Sequence, residues 1–179
     1  MVQAQSKFQQ ELARGRAYEV AVTRWLQDCG YYTLPVFDFN GLGDGFAPHL
    51  DGLQADGTPV QLIAPDILAC KDGVWTWFEV KLKEQADLHR VSSTLVTGLP
   101  LRNWEHYQAV QQATRTSVLI VFVHLAEGEV RAGNISAMTP HHIHSGSTMD
   151  RGGTIFFTYT TLKRVLWLKD LDKYKEALP

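Results

Sequence analysis

An α/β fold is what this sequence predicts: helix, three strands, helix, strand around a central mixed sheet flanked by helices, with a C-terminal extension. Three observations predict it. Residues 6–29 carry apolar side chains at helical spacing, two β-like runs flank Lys71-Asp72-Gly73, and residues 118–123 form a continuous apolar run. A run of that length without alternation suits a strand buried on both faces.

Each element follows from local chemistry. Ser6 is a candidate N-cap for the first helix and Gly30 stands where a C′ glycine belongs. Its apolar stripe passes through Phe8, Leu12, Gly15, Val22 and Leu26. Residues 31–39 read as a strand, and 40–57, rich in Gly and Asp, as a loop or weak hairpin. Residues 60–70 and 74–82 then form a hairpin through Asp72-Gly73, a dipeptide suited to the left-handed conformations of a tight turn. Residues 87–101 read as irregular, punctuated by Gly98 and Pro100. Asn103 can cap a second helix reaching Arg115, and the apolar strand 117–125 follows. Beyond it come a hairpin at Gly128, a His/Gly/Ser loop over 139–153, a strand over 154–160 and a closing helix or turn. One domain spans 1–179, with a core over 6–125 and the extension over 126–179.

Composition limits the function classes. A chain of 179 residues suits one domain, and 45% hydrophobic against 20% charged residues excludes a disordered or fibrous chain. With 17 Lys+Arg against 19 Asp+Glu, non-specific electrostatic binding to nucleic acid cannot carry a function by itself. Cys29 and Cys70 are too few for a disulfide framework or a zinc ribbon. No secretory leader and no membrane-length apolar run is visible, so the expected location is the cytoplasm, with no membrane partner.

The hairpin brings charge together. With a two-residue turn, Lys71 faces Val74 and, counting back along both strands, Asp66 faces Glu79. Side chains so paired stand about 4.5–5.5 Å apart. Two carboxylates at that distance repel unless a proton or a cation lies between them. Lys81 shares the Glu79 face and would pair with Ala64. Glu19 falls in the middle of the apolar stripe of the first helix, with Gly15 one turn before it allowing close approach. Separate periodicities thus send three acids and a lysine inward. Hard oxygen donors without His or Cys suit Mg²⁺ or Mn²⁺.

Pro65-Asp66, twelve intervening residues and Glu79-Val80-Lys81 together resemble the PD-(D/E)XK nuclease superfamily. Gly15-Arg16-Ala17-Tyr18-Glu19 resembles the first helix of its Holliday-junction-resolvase-like branch, and αβββαβ is the restriction-endonuclease-like core. The resemblance covers residues 10–125. It implies Asp66, Glu79 and the Val80 carbonyl as metal ligands, Lys81 as the catalytic lysine, and Glu19 as a further acid acting on the metal directly or through water. It also implies a DNA substrate, and a homodimer if that substrate is a junction needing two cuts. The alternative is a non-catalytic nucleic-acid-binding or assembly module on the same fold.

Other residues carry weaker signals. Lys83, His89, Arg90 and Arg102 surround the stretch after the hairpin as phosphate contacts or ordinary surface, and Gln108 is the polar side chain expected to reach the site from the second helix. Asp51 reads as a turn residue or as an alternative acid. His141, His142 and His144 read as a solvated loop, and Trp75 and Trp77 as core.

Overall fold

The computed structural model describes residues 7–36, 48–53, 56–145 and 152–175. Ser6, the side chain of Phe8 and the expected strand beyond residue 36 lie outside them. Helix α1 (Lys7–Asp28) buries Tyr18, Ala21, Val22 and Leu26. Its stripe turns inward only from Tyr18, because Leu12 is 41% exposed and a Cβ on Gly15 would meet nothing within 4 Å. The close approach expected at Gly15 is therefore absent. Gly30, at φ +86°, ends the helix, and the Tyr31 N–H donates to the Leu26 carbonyl.

Strand β1 (Tyr32–Pro35) is followed by the antiparallel ribbon β2 (His49–Leu53) and β3 (Pro59–Ile63). The single run expected over 60–70 is two strands. β3 ends at Ile63 and β4 (Ile67–Lys71) starts after Ala64-Pro65-Asp66. Pro65 has no N–H to give a ladder, and the Ala64 N–H donates to the Pro48 carbonyl instead. β4 turns through Asp72 (φ +52°) and Gly73 (φ +76°) into β5 (Val74–Lys83). Lys71 faces Val74 and Ile67 faces Phe78, the register that a two-residue turn dictates.

Residues 87–101, expected to be irregular, form β6 (Asp87–His89) and β7 (Thr94–Pro100). Gly98 lies inside β7, where a Cβ would stand 2.6 Å from the Ile155 carbonyl oxygen; it marks a close approach of backbones, not a break. Helix α2 (Leu101–Thr114) starts after Pro100 with no side-chain cap, and Asn103 sits inside its first turn, contrary to expectation. β8 (Ser117–His124), β9 (Glu129–Asn134), β10 (Pro140–His144), β11 (Thr154–Thr158), β12 (Lys163–Trp167) and the short α3 (Leu168–Leu171) follow. β10 replaces part of the expected histidine loop.

The main sheet has the order β1-β4-β5-β8-β9-β12 and is mixed, with β5 and β8 parallel and the other pairs antiparallel. A parallel pair needs a long crossover; here β6, β7 and α2 supply it. A second sheet has the order β10-β11-β7-β6. Alternation along β5 feeds two cores. Phe78 and Val80 pack under α1 with Ile67, Val121 and Leu171. Trp77 packs on the other face with Trp104, Tyr107, Val110, Ile120, Phe122 and Phe157. Trp75, on that same face, is 51% exposed and belongs to no core.

Candidate active site

The β4–β5 ladder stops at Ile67 and Phe78, one residue before Asp66 and Glu79. At that fork β5 has lost its neighbour, and its backbone must find other partners. The Val80 N–H donates to Asp66 Oδ2 at 2.7 Å, while the Val36 N–H donates to the Asp66 carbonyl. Asp66 therefore lies just beyond the end of the ladder, with its side chain bonded to the Val80 N–H and not paired opposite Glu79. In an extended strand a residue's N–H and C=O project to the same edge, so the Val80 carbonyl faces the side that Asp66 occupies. The expected pairing of Lys81 with Ala64 does not form, because the strands have already parted.

Glu79, 1% exposed, projects toward α2. Its Oε1 accepts a hydrogen bond from the Tyr107 hydroxyl at 2.5 Å and is ion-paired with Lys81 Nζ. Its Oε2 is buried without any partner. Asn103 Nδ2 donates to the Tyr107 oxygen at 3.3 Å. Burial first, then Glu79, pushes the Tyr107 hydroxyl far above its ordinary value, so it is a donor at any working pH. The α2 residue that reaches the site is thus Tyr107. Gln108, the residue expected there, is exposed, and Gln111 is spent on Ser136 and the Val118 N–H. The signal for Tyr107 was its i, i+4 relation to Asn103 and its position on the same helix face as Trp104 and Val110.

The electrostatics follow from crowding. Burial, then Glu79, raises the Asp66 carboxyl well above the usual range, against the pull of Lys81 and the Val80 N–H. Burial also raises Glu19, opposed chiefly by Arg16, whose guanidinium donates to Glu19 Oε2 at 2.9 Å. Glu79 raises the Glu19 carboxyl further and Lys81 lowers it, both less strongly than Arg16 acts. For Lys81, burial disfavours the ammonium, but Glu79 and Asp66 outweigh it and hold the proton more tightly than usual. Lys83, two residues on along the same face of β5, is lowered by burial and by Lys81.

The donor set fits a small divalent cation. Two carboxylates and a main-chain carbonyl are hard oxygens, and Glu79 Oε2 is a buried acceptor with no hydrogen-bond partner. Among the described residues no three His, Cys, Asp or Glu side chains stand ready as a cage. Arg16 occupies Glu19, which excludes it from the inner set in this arrangement, and Lys81 supplies a positive charge beside Glu79. Magnesium typically takes only one or two carboxylates and keeps its waters, so two acids suffice.

The weaker candidates divide. Arg90 and Arg102 are exposed, the first in the β6–β7 turn and the second in the first turn of α2, and neither pairs with the acids. Asp51 lies in β2 and not in a turn, and accepts from Gln61 on the surface. It is no partner for Glu79.

No protein-family profile matches the sequence, and no curated protein is detectably similar to it. Among solved structures, the chain is similar to Hjc, a Holliday junction resolvase from Archaeoglobus fulgidus. The TM-score is 0.53 and the identity 12%, over 85% of this chain and 92% of that one. It also matches D212, a nuclease from a fusselovirus, with a TM-score of 0.41 and 8% identity over 98% and 95% of the two chains. The likeness to the resolvase establishes a restriction-endonuclease-like fold for this chain. Among the described residues no helix is long and apolar enough to cross a membrane.

Proposed function

We propose that this protein is a divalent-metal-dependent nuclease that hydrolyses DNA phosphodiester bonds. The observation that carries the reading is the buried, unpartnered Glu79 Oε2 beside Asp66 and Lys81 at the open end of a strand fork. The fold shared with a resolvase adds to it.

Asp66, Glu79 and the Val80 carbonyl would hold Mg²⁺ or Mn²⁺, with Glu19 acting through water. When bound, such an ion neutralises charge on the phosphodiester and lowers the pKa of the attacking water. The chain's own groups do the rest. Tyr107 fixes Glu79 by its Oε1 and leaves Oε2 to the ion. Lys81, kept protonated by two acids and a quarter exposed, is positioned as a cation facing solvent. It orients the water or the phosphate; as an ammonium it is a poor general base. Lys83 extends that positive edge, and Arg90 and Arg102 offer exposed phosphate contacts. Cutting a four-way junction requires two such sites, hence a homodimer.

The test is cleavage of branched, nicked, single-stranded and linear DNA with Mg²⁺, Mn²⁺ or Ca²⁺, while melting is followed alongside. Cleavage with Mg²⁺ or Mn²⁺ that Asp66→Ala abolishes is the expected result. DNA binding without cleavage or any metal effect on melting refutes the enzyme and leaves the binding module.

A further inference from the structure

The histidines on the second sheet form a cluster that the nuclease chemistry does not use. β6 and β10 are the two outer strands of that sheet, separated in the ladder by β7 and β11. Yet His89 at the end of β6 and His141 on β10 are in contact, their ring centroids 5.0 Å apart and nearly perpendicular. Ser92, in the β6–β7 turn, completes a triangle. His89 Nδ1 lies 2.8 Å from Ser92 Oγ, Ser92 Oγ lies 3.0 Å from His141 Nε2, and the two ring nitrogens are 3.4 Å apart.

The backbone is shaped to make this meeting. In a regular strand, neighbours point to opposite faces, and His141 and His142 could not both approach His89. β10 shifts register between Pro140 and His142, which makes His141 the extra residue of a bulge. Bulges re-aim side chains in this way, and both rings come within 5.2 Å of His89. Next to Ser92, Ser93 holds a left-handed φ of +52°, uncommon for a residue with a Cβ. Behind His141, Thr158 Oγ1 stands 3.3 Å from Nδ1. When Nδ1 carries the proton and donates it to Thr158, Nε2 is left as a bare lone pair aimed at His89. A partner on the second ring nitrogen is the usual companion of a metal-binding imidazole.

We propose that His89 Nδ1, His141 Nε2 and Ser92 Oγ form one triangular face of a site for a divalent ion that prefers imidazole, such as Zn²⁺ or Co²⁺. Ligand nitrogens about 2.1 Å from an ion stand about 3.4 Å apart in a tetrahedron and about 3.0 Å in an octahedron. The observed edges of 2.8, 3.0 and 3.4 Å match that range. No third His, Cys, Asp or Glu stands at ligand distance among the described residues, so water fills the rest of the shell. Lacking a carboxylate, the site disfavours Mg²⁺, which separates it chemically from the acid cluster. An ion here joins the two outer strands and ties the β6–β7 turn to β10.

The experiment is a Co²⁺ titration of the full chain in excess Mg²⁺, read by visible absorption and equilibrium dialysis, with Zn²⁺ as competitor. One equivalent of Co²⁺ is expected in the wild type and in Asp66→Asn, displaced by Zn²⁺. Both His89→Gln and His141→Gln are expected to weaken it at least ten-fold while circular dichroism stays unchanged. Should one variant fail to fold, the other decides. Co²⁺ that is not retained, or is retained equally by the folded histidine variants, overturns the proposal. Loss in Asp66→Asn alone also overturns it, because the ion would then belong to the acid cluster.

Discussion

Removing the hydroxyl of Tyr107 tests the site at its most buried contact. Tyr107 and Glu79 are each 1% exposed, and the hydroxyl donates to Glu79 Oε1 at 2.5 Å. In Tyr107→Phe the ring volume is retained and only the donor disappears, so no large cavity complicates the result. A hydrogen bond to a charged group contributes about 1.5–3 kcal/mol. Lys81 still contacts the same oxygen, which places the expected loss toward the lower half of that range. For a chain of this size, that corresponds to a fall in melting temperature of about 3–8 °C. If Tyr107 also sets which Glu79 oxygen is free for an ion, Mn²⁺ affinity falls by about 10–100-fold, as outer partners of metal ligands usually dictate. Urea unfolding and Mn²⁺ calorimetry measure the two effects separately. Stability within about 0.5 kcal/mol of wild type, together with unchanged Mn²⁺ affinity, would refute the reasoning.

Asp66→Asn should abolish cleavage yet raise the stability of the metal-free protein at neutral pH, because the folded state holds the Asp66 proton above the usual carboxylate range. For the same reason the metal-free wild type gains stability as pH falls from that raised value toward the ordinary one, where the folded form binds the extra proton. A flat profile in this window for both proteins would contradict the assigned crowding. His124 has the opposite sign. It is fully buried, bonded by Nε2 to Thr97 at 3.0 Å, and burial pushes its imidazole down to about 4. Its contribution is complete above pH about 6.5 and is lost as pH falls toward about 4, at most about 3 kcal/mol; His124→Gln should remove this acid sensitivity from denaturant midpoints. Gly98→Ala should cost about 1–3 kcal/mol in urea unfolding, since the new methyl meets the Ile155 carbonyl. An unchanged midpoint would mean that the two strands separate freely there.

Much of the site was legible because it rests on local periodicity. The Asp72-Gly73 turn sets the β4–β5 register whatever surrounds it, and that register holds from Lys71–Val74 to Ile67–Phe78, the pair next to Asp66 and Glu79. The apolar run of β8 and the buried face of α1 around Glu19 likewise follow from residue spacing alone. What spacing cannot carry is contact between distant segments. β6, β7 and β10 lack clear alternation: β7 is buried along both faces by its neighbours, while β6 and β10 are mostly exposed edges. The Ala64-Pro65-Asp66 break, where the acid leaves the ladder to hold the Val80 N–H, depends on Pro48 and Val36 arriving from elsewhere. Tyr107 in place of Gln108 was decided by the roll of α2 on the sheet, and the Arg16 contact on Glu19 by side-chain packing along α1. Backbone propensity and turn chemistry determine which residues share a strand or a helix face. Only the assembled core decides which of them meet, because burial and long-range hydrogen bonds exist only once the layers have closed.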